Sequence, residues 1–167
     1  LEASTNEVDT NKEWKPEGNV IATGEDGVPW ELYENGYLLF TPTKEQNTLS
    51  KNSSWRIDYA KKIIAIGFVD KVYAPIGTFL LFSLPNVQYI EAEKIDTSNV
   101  EDMSSMFYEA SSLTTLDVSN WDTSKVENMY CMFYKANKIK YLNVSNWNTS
   151  NVTNMSHIFS QVESLTT

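Results

Sequence analysis

One histidine, His157, and one cysteine, Cys131, are the side chains whose chemistry is most accessible near neutral pH. They stand 26 residues apart, and Ser105 stands the same distance before Cys131. A Ser-His-Asp arrangement would have to use His157, which sits in a recurring slot and not on a strand-to-helix elbow that exposes a nucleophile. Structural zinc takes four N or S ligands at closed spacing, and the chain has neither CxxC nor HExxH. Cys131 and His157 supply two ligands at most, so both are read as variable positions, with no metal and no cofactor expected.

Asp96, Asp122 and Asn148 recur at the same interval, each followed by Thr-Ser. Oxygens so repeated could ligate calcium. The preferred reading is that each accepts backbone N–H groups and closes a turn. Three more carboxylates, Glu31, Glu34 and Asp58, lie in the first half of the chain. No paired-carboxylate constellation can be established from their spacing, and the chain is read as a non-enzyme.

The elements that position these residues follow from a period. From Ile90 onward Val100, Val126 and Val152 align, as do Met103, Met129 and Met155, and Phe107, Phe133 and Phe159. Leu113, Ile139 and Leu165 continue the register, and Trp121 and Trp147 match Ile95. A fixed period of this length is the signature of stacked repeats that bury their apolar faces against one another. Val100, Met103, Met106 and Phe107 have the spacing of one helical face, so a helix is predicted to start near Asn99. Ser98 with Glu101, and Ser124 with Glu127, fit a capping box; Thr153 breaks it in the third copy. The methionines are read as core, not as a soft-metal or peptide surface. The same helical wheel puts Cys131 opposite the Met and Phe face, predicting an exposed thiol able to form adventitious dimers.

Each predicted helix is followed by a run such as Leu113 to Val118, whose L-x-x-L-x-V spacing reads as a short strand with Thr115 and Asp117 outward. Stacking such strands gives outward ladders: Tyr89, Thr115 and Tyr141 in one, Glu91, Asp117 and Asn143 in the other. Tyr beside acidic and amide groups on a rigid surface suits protein or glycan recognition. These six residues are the candidate ligand-binding set. Trp121 and Trp147 are read as core at the bend between strand and helix.

The segment LDVSNWDTSKVENMYCMFYKANKIKYLNVSNWNTSNVTNMSHIF resembles the repeat of BspA-like leucine-rich surface proteins, in particular its D-T-S-x-V-x-x-M-x-x-M-F core. The resemblance is strong over 90–167 and weak before it. It implies a secreted, anchored bacterial surface protein that adheres to host matrix proteins, to cells or to other microbes. It also implies more repeats than this chain holds, so the chain is read as a fragment.

Residues 1–18 are polar and read as a flexible lead-in; 19–82 as a small β-rich cap; 83–167 as about three repeats, the last incomplete. In the cap, Asn35-Gly36 between apolar runs predicts a hairpin with a type I′ turn. A strand is expected over Ile63 to Val72. The fold class expected is thus an α/β solenoid, a leucine-rich-repeat array of short parallel strands and helices behind that cap. Thirteen Lys and Arg against twenty-two Asp and Glu leave a charge of −9, which disfavours nucleic acid and anionic membrane surfaces as partners. No segment is apolar for long enough to span a bilayer. The expectation is a monomeric adhesin-type module of the bacterial cell surface, binding host or microbial proteins or glycans; the alternative is a structural spacer with no ligand of its own.

Overall fold

The computed structural model describes residues 12–166. The expected lead-in lies outside the described residues up to position 11. Eight short strands dominate: β1 (Val20–Gly24), β2 (Trp30–Tyr33), β3 (Tyr37–Phe40), β4 (Ala65–Phe68), β5 (Val72–Tyr73), β6 (Tyr89–Ile90), β7 (Ile95–Asp96) and β8 (Thr115–Leu116). A six-stranded mixed sheet runs β1-β2-β3-β4-β6-β8, and β5 pairs with β7 in a second. The first three strands are antiparallel, and from β3 to β8 every pairing is parallel.

The β2–β3 hairpin forms at Asn35-Gly36, but with a different turn from the one expected. Of the two residues only Gly36 has a positive φ, 80°, and its N–H bonds to Tyr33 C=O at 2.9 Å. That is a three-residue loop with Gly in the left-handed position, and not the two-residue type I′ turn. The strand expected over Ile63 to Val72 divides into β4 and β5, which join different sheets. Between β3 and β4 the cap also holds a six-residue helix, α1 (Ser54–Tyr59). Its first turn is held from across the fold, because the Asp26 carboxylate accepts bonds from Ser54 N–H and from Ser54 Oγ. One core unites cap and repeats, from Val28 to Ile139.

The expected helices of the repeats do not form, and the α/β solenoid reading is corrected accordingly. Among the described residues the only helical segments are α1 and a three-residue 3₁₀ turn, η1 (Ala92–Lys94), neither inside the Met-Phe segments. Where a helix was expected from Asn99, residues 103–110 form consecutive tight turns. Met106, Tyr108 and Ala110 donate to Met103, Ser105 and Phe107 within the turn. The alternate residues Met103, Ser105, Phe107 and Glu109 donate instead to Asn128, Tyr130, Met132 and Tyr134 of the next copy, at 2.8 to 2.9 Å. Met129, Cys131, Phe133 and Lys135 repeat this toward Asn154, Ser156, Ile158 and Ser160. The capping boxes are likewise replaced: Val100 N–H bonds to Thr97 C=O, and Asp96 Oδ1, not a serine, accepts from Ser98. The fold is mostly β, with almost no helix.

The spacing misleads because two structures share it. Consecutive turns closed by i to i+3 bonds return the chain to one face every three or four residues, as a helix does. Met103, Met106, Phe107 and Ala110 are all buried on that face. What distinguishes the two is the left-handed backbone at Ser105, Glu109, Cys131, Lys135, His157 and Gln161, with φ of 53 to 60°. Non-glycine residues accept that conformation at a cost of roughly 1–2 kcal/mol each, offset at Ser105, Glu109, Cys131 and Lys135 by N–H bonds to the next copy. The turn also moves the thiol: Cys131 is buried, 5% exposed, correcting the exposed position drawn on a helical wheel.

Down the centre runs a column of rings. Phe40 meets Trp55 at 5.6 Å and Trp55 meets Phe82 at 6.4 Å. Phe82, Phe107, Phe133 and Phe159 then stack at 5.2 to 5.7 Å. Trp121 and Trp147 flank the column and donate their indole N–H to Ala92 and Val118 C=O. The column thus joins the cap to the last described turn through ring stacking as well as area burial.

Two expectations test the turns. Glu109→Val should lower stability by roughly 1–2 kcal/mol relative to Glu109→Asn, because a β-branched side chain resists the left-handed backbone that Asn tolerates; both variants lose the Lys135 pair, so their difference in urea unfolding isolates the backbone. Native protein should react with a thiol reagent far more slowly than urea-unfolded protein, since Cys131 is buried; equal rates would contradict the turn geometry.

Candidate functional site

The outward face of the large sheet is built by alternation along its short strands. Ile66, Ile90 and Leu116 pair side by side and are buried. Their neighbours Ala65, Tyr89 and Thr115 therefore face the other way, one pleat apart. The structure places the expected pair Tyr89 and Thr115 in direct register. Tyr141, 26 residues further on, is 67% exposed and lies beyond β8, the last strand among the described residues, so the strand expected to carry Tyr141 and Asn143 does not form.

At the cap end this face is occupied by the chain itself. The Trp14 ring lies parallel on Tyr89, with centroids 5.8 Å apart, and Lys12 Nζ sits 3.8 Å from the centre of the Trp14 ring. Asn35 Nδ2 and N–H bond to the carbonyls of Lys15 and Glu17, fixing the path. Tyr37 approaches from the next strand, and its hydroxyl covers Gly67 so closely that a Cβ there would meet it at 1.9 Å. Burial, then Glu93, Glu91 and Tyr37, push the Tyr89 phenol up to about 12. Glu91 accepts the Phe68 N–H at 2.9 Å and pairs with Lys94 at 3.1 Å. Tyr89 and Glu91 thus have partners within the chain.

The other four expected residues come together. Thr115, Asp117, Tyr141 and Asn143 line one open groove of about 460 Å³, with Thr114, Leu116, Ser119 and Lys140. Two of its polar side chains are fixed by the sequence around them. Asp117 Oδ1 accepts both N–H and Oγ–H of Ser119, and Asn143 Oδ1 accepts the same pair from Ser145. These Asx turns set the side-chain torsions before any ligand arrives. The Ser119 bonds also hold the Asp117 carboxyl below its ordinary range, so it is anionic at neutral pH. An anchor ring, a fixed anion and a fixed amide on one wall can seat a ligand that brings a flat face and donor groups.

Sequence reasoning missed Trp14, Tyr37 and Lys140 at this face. An isolated Trp in an otherwise polar stretch was the available signal for the first. The recurring oxygens Asp96, Asp122 and Asn148 each accept an N–H two residues ahead, from Ser98, Ser124 and Ser150. Among the described residues no group of three His, Cys, Asp or Glu side chains is arranged to hold a metal ion. His157 Nδ1 meets Ser160 Oγ at 3.1 Å on an exposed turn, and its ring abuts the Tyr130 edge. The cap carboxylates remain separate, with Glu31 bonded to Tyr33 and Glu34 to Asn19. No helix among the described residues is long and apolar enough to cross a membrane.

Asp96 has a pH consequence. Burial alone would raise its carboxyl, but the Lys71 ammonium at 2.6 Å and the two Ser98 bonds outweigh that and bring it to about 2. A carboxylate held below its unfolded value stabilises the fold above that value, and the contribution is lost as pH falls through the folded one. Acid unfolding of the wild type should therefore show a loss of stability between about pH 4 and 2 that Asp96→Asn reduces, measured by urea midpoints across that range.

No curated protein and no solved structure matches the chain. A family described as Mycoplasma protein of unknown function, DUF285, matches residues 80–167, the segment that carries the stacked turns, the aromatic column and the groove. That match spans more than half of the sequence, and the chain belongs to the DUF285 family.

Proposed function

We propose that the chain is a non-catalytic, adhesin-type binding module of a bacterial cell-surface protein, using the outward sheet face to recognise host or microbial proteins or glycans. The observation that carries this is the groove in which Thr115, Asp117, Tyr141 and Asn143, from successive copies, present one exposed ring beside torsionally fixed polar groups. The 26-residue D-T-S-x-V-x-x-M-x-x-M-F pattern inside the family match resembles BspA-like surface proteins, and supports secretion and adhesion. A charge of −9 favours cationic partners and disfavours nucleic acid and anionic lipid. No cofactor is needed, and the module is read as a monomer. A spacer role is the second reading, favoured by the continuous backbone ladder between copies, which stiffens the stack.

The test is a binding screen of the purified chain against matrix proteins, glycans and cells, beside the triple variant Tyr89→Ala, Asp117→Ala, Tyr141→Ala. A tenfold or greater loss of binding in a variant that still unfolds in one cooperative urea transition supports the sheet face, about what losing an aromatic anchor costs. Wild-type chain that binds no surface, or a variant that binds as well as wild type, would leave the spacer reading in its place.

A further inference from the structure

Trp14 on Tyr89 is an internal example of what this ladder accepts. The two rings are within 2° of parallel, and Lys12 Nζ lies over the indole, 3.8 Å from its centre. Tyr141 repeats the position of Tyr89 two copies on, but among the described residues no ring covers it, and it stands 67% exposed in the groove with Asp117 and Asn143. The segment that covers Tyr89 reads Lys12-Glu13-Trp14-Lys15, with a cation on either side of the ring and Glu13 paired to Lys15. The groove at Tyr141 is lined by one anion, Asp117, and one cation, Lys140. A stacking ring and one carboxylate for a flanking ammonium are thus what the groove shares with the covered site.

We propose that the Tyr141 groove docks a partner segment in which a tryptophan is flanked by lysines, its indole stacking on Tyr141 as Trp14 stacks on Tyr89. This rests on the sheet-face reading and names its ligand. The flat ring supplies area at little cost in rotamer freedom, and the flanking ammonium meets Asp117. Asn143 and Thr115 line the same groove, and an amide and a hydroxyl can offer hydrogen bonds to the backbone of an extended segment. The partner is a different protein and not a second copy, because the Trp14 of this chain is held in place on its own Tyr89 by the Asn35 bonds to Lys15 and Glu17.

The probe is a blocked pentapeptide, KEWKP, identical to residues 12–16, titrated into the full chain and followed by NMR. Saturable shifts are expected at Thr115, Asp117, Tyr141 and Asn143. Tyr141→Ala should weaken binding at least tenfold, Asp117→Asn or 0.5 M salt about threefold or more, and a KEAKP peptide should not bind. Tyr141 is exposed, so its variant should keep the wild-type urea midpoint. In Trp14→Ala a second set of shifts should appear around Tyr89, which that substitution uncovers. No saturable shifts, or equal binding by wild type and Tyr141→Ala, overturns the proposal, as does concentration-dependent dimerisation through Trp14 in sedimentation. A glycan that binds at Tyr141 while the peptide is inert reassigns the groove to carbohydrate. An inert peptide beside a triple variant that loses surface binding overturns the ligand class alone; an unaffected triple variant overturns the sheet-face reading beneath it.

Discussion

The alternating backbone hydrogen bond of the Met-Phe segments is the constraint on which the rest of the structure depends. Along residues 103–110 one N–H closes its own turn and the next reaches the neighbouring copy, so no donor in the segment is left over. Each inter-copy bond fixes the spacing of successive turns, and the ring column and the sheet inherit that spacing. Phe107 stacks on Phe133 at 5.2 Å because the Phe107 N–H is bonded to the C=O of Met132, the residue before Phe133. Tyr89 stands beside Thr115 for the same reason one side of the coil away.

This arrangement makes local strain and long-range order two aspects of one device. Six non-glycine residues in the Met-Phe turns hold a left-handed backbone that an isolated segment would abandon. Ser105, Glu109, Cys131 and Lys135 keep it because the next copy supplies carbonyls at the right height for their N–H groups. The recurring Asx turns act alongside: Asp96, Asp102, Asp117 and Asp122, and Asn128, Asn143, Asn148 and Asn154 in later copies, each accept an N–H two residues on. A side chain that replaces a backbone acceptor lets a chain turn sharply without a helix. The groove at Tyr141 uses two of these turns as its fixed walls.

The cap end shows how the same face can be closed. Trp14 covers Tyr89, and Glu91 is held between Phe68 N–H and Lys94, so two of the six outward residues are engaged by the chain itself. The other four, Thr115, Asp117, Tyr141 and Asn143, line an open groove. The two ends also differ in backbone, because Tyr89 lies on the paired strand β6 and Tyr141 lies beyond β8, the last strand among the described residues.

The sequence by itself determined which Met and Phe side chains of the first two copies are buried, because burial leaves its mark at fixed spacings. Phe107, Phe133, Met103 and Met129 are in the core where the pattern placed them, whereas Met155 and Phe159, expected there too, are 45% and 38% exposed. Only the tertiary structure decided the backbone conformation of those segments, since an i, i+3, i+4 pattern is satisfied equally by a helix and by a run of bonded turns, and the choice rests on partners 25 residues away. The exposure of Cys131 followed that choice, and burial replaced it. The Gly36 turn was chosen by how β2 and β3 meet, and the cover over Tyr89 by the folding of a polar stretch with no period of its own onto the sheet. Local chemistry thus fixed what is inside and what is outside; contacts between distant residues fixed the path of the chain between them.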